Sequence, residues 1–166
     1  MSPLETIISQ ICTARGYTKS LLEDLSEADW FRQPQEGVTH LAWQVGHLTA
    51  GEYSLTMVRI RGRTGEDAEL ISDRFLEQFG RGSAPDPDPG KYPPPAEILR
   101  VFDGVHEQFL EESKGFSEQL LAEPTDPPHP MFSTKLGAVS FCPLHEMVHA
   151  GQIGLLRRLL GRQPLH

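Results

Sequence analysis

The stretch His145-Glu146-Met147-Val148-His149-Ala150-Gly151-Gln152-Ile153 decides how the chain is read. Two histidines four residues apart on a helix stack one turn above the other on one face. That spacing lets two imidazoles chelate a single divalent metal ion. Leu156 and Leu159 follow at helical steps, so the stripe is expected to continue as core and the histidines to point inward. A third ligand is needed, and His47 is the candidate.

Working outward, Ser140 is the expected cap of this last helix. Pro143 falls in its first turn, and Gly161 supplies the stop. Arg157 and Arg158 near its end suit the helix dipole. Upstream, Pro124, Pro127, Pro128 and Pro130 make residues 123–139 a long proline-rich loop, a kind of connection that is often functional. A helix from Pro95 or Ala96 to about Leu121 carries Ile98, Val101, Phe102, Val105, Phe109, Phe116 and Leu120 on its apolar face. Before it lies stiff, extended chain from Gly82 to Pro95, and before that a short helix from Asp67 to Phe79. A helix capped by Thr39 runs to Arg61-Gly62. Leu41, Val45, Leu48 and Leu55 form its stripe, with Gln44, His47, Gly51 and Val58 alongside. The first helix, from Pro3 to about Asp24, is marked by Leu4, Ile7, Ile8, Ile11, Thr18, Leu21 and Leu22. Between the first two long helices, Trp30 and Phe31 are expected to pack as lids. No stretch carries a strand pattern. The fold class is therefore all-α: one domain spanning 1–166, a four-helix bundle with a long crossover between helices two and three.

Composition narrows the function. The chain has 166 residues, 38% hydrophobic, enough for one core. A formal charge of −8 argues against nucleic-acid binding. No apolar run is long enough for a bilayer span, and the start lacks the pattern of a secretion signal. The two cysteines, Cys12 and Cys142, have no metal-type spacing; free thiols in a reducing, cytoplasmic setting are expected.

Three neutral imidazoles suit zinc, nickel or another first-row divalent metal and leave a coordination position open for water or substrate. A water there becomes more acidic, and a thiol loses its proton. The sequence also spells HExxH, in which Glu146 would be the general base of a zinc peptidase. The extended form of that motif is missing, because Gln152 and Leu155 stand where glycine and histidine would be. Glu146 is then an incidental neighbour, exposed or in support of the ligands. The other histidines have plainer readings: His40 is an understudy for His47, His106 is packed in the core, and His129 and His166 are solvated. Gln152 lies one turn beyond His149 and could bond toward the site. Trp43 and Tyr53 either line a pocket or pack, and Cys142 is a buried free thiol.

Trp43-Gln44-Val45-Gly46-His47-Leu48, the stretch His145–Ile153 and the tail Leu156-Arg157-Arg158-Leu159-Leu160-Gly161-Arg162 together resemble the DinB-like superfamily of small metal-binding four-helix bundles. The resemblance extends over essentially the whole chain. It implies a metal held by His47, His145 and His149. Relatives include bacillithiol S-transferases and mycothiol-dependent maleylpyruvate isomerase, and homodimers are frequent among them. The expected function is a metal-dependent, thiol-dependent S-transferase or small-substrate hydrolase. The alternative is a non-catalytic metal-binding or stress-response module, and a zinc peptidase ranks below both. Expected partners are a small-molecule substrate, a low-molecular-weight thiol and a second copy of the chain, with no nucleic acid and no membrane. No catalytic side chain is singled out.

Overall fold

The computed structural model describes residues 2–165. Helix α1, Pro3–Ser20, opens on a capping box: the Ser2 hydroxyl accepts from the Glu5 amide, and the Glu5 carboxylate accepts from the Ser2 amide. It ends earlier than expected, and residues 21–24 form a turn. The short α2, Glu27–Trp30, buries Trp30, while Phe31 stays half-buried against the core.

Helix α3, Leu41–Tyr53, is capped by His40 rather than Thr39, because the His40 Nδ1 accepts from the Trp43 amide at 3.1 Å. That leaves the proton on Nε2, which donates to the Asp86 carbonyl. The helix then widens into a π-helical segment, Ser54–Val58, and closes with α4, Arg59–Arg61. The expected single helix over 67–79 is two, α5 (Asp67–Leu70) and α6 (Asp73–Phe79), separated where Ile71 turns extended.

Helix α7, Pro95–Ser113, buries Ile98, Val101, Phe102, Val105 and Phe109 as the periodicity requires. It stops short of Leu121. A separate turn of helix, α8 (Glu118–Ala122), is capped by the Ser117 hydroxyl. The loop expected over 123–139 is instead a small antiparallel hairpin, β1 (Pro124–His129) with β2 (Phe132–Thr134), running into the last helix. Its prolines contribute no N–H, so it reads as loop. Helix α9, Lys135–Leu159, starts five residues before the expected cap, with the Thr134 hydroxyl accepting from the Gly137 amide. Pro143 therefore lies inside it.

Helix α1 packs along α9, and α3 packs against both α7 and α9, with α6 laid over α3. One core cluster joins these elements. Among the described residues no helix is long and apolar enough to cross a membrane. Of the stripe expected after the histidines, Leu156 is buried but Leu159 is 53% exposed.

Across the core, four helices meet in an ion network. Arg15 on α1, 3% exposed, reaches Glu52 on α3 and Glu146 on α9, and donates to the Phe102 carbonyl on α7. His106 Nδ1 on α7 lies 2.7 Å from the other Glu52 oxygen. Burial alone would raise Glu52, but Arg15 and His106 hold it below its ordinary range. Burial would likewise lower Arg15, and the two carboxylates outweigh it.

Candidate metal centre

His47 on α3 and His145 and His149 on α9 come together. One ligand atom from each lies within 4.8 Å of the others. Their ring centroids are 4.6–5.3 Å apart. All three are half-buried.

Two of the rings, those of His47 and His149, are fixed by hydrogen bonds from behind. The His47 Nδ1 lies 2.7 Å from the Phe79 carbonyl, which can only accept, so this nitrogen carries the proton and Nε2 is left as the donor atom. Trp43, one turn earlier on α3, stacks on His47 at 4.6 Å and 7°. Gln44 donates its amide NH₂ to the Thr39 hydroxyl, which turns its oxygen toward His149 Nδ1 at 2.7 Å. His149 is therefore also proton-bearing at Nδ1, which leaves Nε2 as its donor atom. Bonds of this kind orient metal-binding histidines and raise their basicity.

Two glycines make room. A Cβ on Gly46 would run into the ring of Phe79, whose carbonyl holds His47. A Cβ on Gly51 would lie 2.6 Å from His145 Cε1. Burial, then the neighbouring imidazoles, pushes His145 down to about 3. Burial and His47 push His149 down to about 4, with a hydrogen bond to Gln152 acting the other way. Both rings are neutral at physiological pH, the form a metal ion needs. The donor set is thus three convergent imidazoles, two of them oriented from behind, and it is compatible with a divalent ion.

The remaining expected residues fall elsewhere. His40 is a helix cap, and His106 belongs to the ion network. Glu146 is 2% exposed and engages Arg15 at 3.0 Å, so it is neither exposed nor incidental, and its carboxylate is committed to the core. That removes the general base that a peptidase reading needs. Burial and the nearby Glu52 and Glu146 hold the Cys142 thiol well above its ordinary range. His129, expected to be solvated, is half-buried and stacks on Phe132 at 4.1 Å. His166 lies outside the described residues.

A cleft of about 610 Å³ opens against His47 and His145. The π-helical segment forms one side through Ser54, Leu55 and Val58, and Phe141 and His129 form another. Its size is that of a small-molecule site, and π segments often mark such places. Tyr53 also borders it, its phenol bonded to Asp67 at 2.8 Å. Burial and Asp67 push that phenol up to about 12, so it stays protonated.

A helical chain with three convergent histidines, two of them bordering an open cleft, has an arrangement compatible with a divalent metal held between helices. The sequence profile of the DinB superfamily matches residues 10–153, and the chain belongs to that superfamily. No curated protein matches it.

Proposed function

We propose that His47, His145 and His149 hold a divalent ion, zinc or nickel, and that the protein is a metal-dependent enzyme of the thiol-dependent S-transferase or small-substrate hydrolase type. The observation that carries this reading is the pair of hydrogen bonds fixing His47 and His149 from behind while the cleft opens in front. A closed structural site would need a fourth protein ligand; the cluster among the described residues holds three. When bound, the ion supplies Lewis acidity, which favours the deprotonated form of a thiol or water. The chain's own part is to keep His145 and His149 neutral, to orient His47 through Phe79 and His149 through Gln44, and to bound the cleft with apolar side chains that limit water. We read the four long helices as the four-helix bundle with crossover expected from the helical periodicity and the long connection.

The test is elemental analysis of protein purified without a histidine tag, beside His47→Ala, His145→Ala and His149→Ala. Near-stoichiometric metal in the parent, lost in each variant, supports the reading and directs a screen of thiol-transfer and hydrolytic reactions. A parent that takes up neither zinc nor nickel overturns it.

A homodimer also fits the surface. Leu144, Met147, Val148, Leu155 and Leu159 of α9 are 46–63% exposed and lie on one side of the helix. Antiparallel self-pairing about the point between Gly151 and Gln152 would set Leu144 against Leu159 and Val148 against Leu155. Self-complementarity of this kind is what a twofold interface requires, and Gly151 has open space above it for close approach.

A further inference from the structure

The chain carries a formal charge of −8, yet three arginines border the cleft: Arg59, Arg63 and Arg81. Arg63 is committed, donating to the Tyr53 phenol and to Asp73. Arg59 is not. Arg15, Arg157 and Arg162, the other arginines withdrawn from solvent among the described residues, are each paired with a carboxylate. Arg59 instead lies with its guanidinium carbon 5.1 Å from the Phe132 ring centre and donates to the Pro127 carbonyl at 2.8 Å. Both contacts hold it in place without cancelling its charge. Its electrostatic neighbour is a like charge: burial and then Arg81 hold Arg59 below its ordinary range. His129 is lowered by burial, by Arg59 and by Arg81. Two guanidiniums and an imidazole thus share one wall with no carboxylate between them. The lining also presents apolar side chains, including Leu55, Val58, Leu76 and Phe141.

A half-buried, unpaired guanidinium beside a like charge at a concave surface is unfavourable unless a ligand of opposite sign completes the site, and a guanidinium fork matches an oxyanion. We propose that Arg59 and Arg81, with His129 beside them, form an anion subsite of the cleft, and that the substrate is a small molecule with an apolar body and an anionic head, a carboxylate or a phosphate. The apolar body lies along Leu55, Val58 and Phe141 toward His47 and His145, and the head engages the arginines. This rests on the reading of the cleft as a substrate site, but the subsite itself needs no metal.

The test uses three probes of similar shape on the full chain, in chelator and again after zinc loading: 3-phenylpropionate, phenyl phosphate and the neutral 3-phenylpropanol, with dissociation constants from calorimetry. The metal-free protein is expected to bind at least one anion about tenfold more tightly than the alcohol, with the preference falling as salt is raised. Arg81→Gln, at an exposed position where folding is not at stake, is expected to weaken the anion about threefold to tenfold and leave the alcohol unchanged. Arg59→Gln should do the same, with its melting curve recorded alongside. Whether carboxylate or phosphate binds more tightly identifies the head group. Equal binding of anions and alcohol, or anion binding indifferent to Arg81→Gln and to salt, overturns the proposal. Zinc uptake, measured in the same samples, should not change in either arginine variant. Failure of zinc binding with the anion preference intact would count against the metal reading alone.

Discussion

Replacing Gly51 by alanine separates the architecture of the metal centre from that of the fold. The new Cβ would lie 2.6 Å from His145 Cε1 and 3.0 Å from Nδ1, where 3.4 Å begins ordinary contact. The obstacle is a half-buried side chain on rotatable bonds, so the ring retreats and the backbone stays. Alanine gains about 1 kcal/mol of helix propensity over glycine. Crowding costs about 1–3 kcal/mol. The metal-free variant should therefore lie within about 2 kcal/mol of the parent. A ligand shifted by most of an ångström no longer meets a site whose donors must be held within about 0.5 Å, so zinc affinity should fall at least 10- to 100-fold. Gly46→Ala is the contrast. Its Cβ meets Phe79, which is fully buried and cannot retreat, so stability itself should drop, by about 3 kcal/mol. Melting in chelator measures the first quantity. Competition with a chromophoric zinc chelator measures the second, and Trp43, stacked on His47, offers a fluorescence check. A Gly51→Ala protein with parental zinc affinity would refute the argument. So would one that loses several kcal/mol without metal.

Three further outcomes are expected. Arg15→Met strands Glu52 and Glu146 in the core and should cost about 3–5 kcal/mol in urea titrations, most of it regained when both acids are also replaced by leucine; a loss under 1 kcal/mol for the single change would show that the network contributes little. Asp67 is held well below its ordinary range by Arg61 and the Thr64 amide, with burial opposing, so it stabilises the fold above its unfolded value of about 4 and that contribution is lost as pH falls toward the depressed folded value. Asp67→Asn should accordingly lower stability at pH 7 and flatten the acid limb below about pH 4, and a variant whose acid limb matches the parent would sink the assignment. Val148→Glu, on the exposed stripe of α9, should halve the mass seen by light scattering without changing zinc uptake, whereas a parent that is already monomeric disposes of the dimer.

The long helices and the histidine pair of α9 were legible because both rest on short-range periodicity, and His47 joined them as the set that the resemblance implies. Apolar residues at three- and four-residue steps mark a face whatever packs on it, and His145 and His149 share a face by spacing alone. The orienting bonds were not legible, since the Phe79 carbonyl reaches His47 from 32 residues away and Gln44 reaches His149 from 105. Glu146 was misjudged because the motif that draws attention to it says nothing of the opposite side of α9. A signal was present: Arg15 follows Ile11, and Glu52 follows Leu48, by one helical turn, so each puts a charge into an apolar stripe. Such charges imply partners. The hairpin escaped because Pro124, Pro127 and Pro128 cannot donate to a ladder, and its pairing depends on what β2 supplies. His129, with Arg59 and Arg81, could be placed at the cleft only once that hairpin was known.

The ion network behind the histidines also specifies which alignment of the helices is permitted. Apolar stripes alone tolerate sliding, because leucine one turn along replaces leucine. Here a slide of four residues would bring Ile11 or Lys19 to the place of Arg15, Leu48 or Thr56 to that of Glu52, Cys142 or Ala150 to that of Glu146, and Phe102 or Leu110 to that of His106. A shift of Arg15, Glu52 or Glu146 leaves a charge buried without its counterion, at a cost of several kcal/mol, and a shift of His106 removes a hydrogen-bond partner from Glu52. The helices can thus settle in one longitudinal register, and it is the register that sets His47 level with His145 and His149.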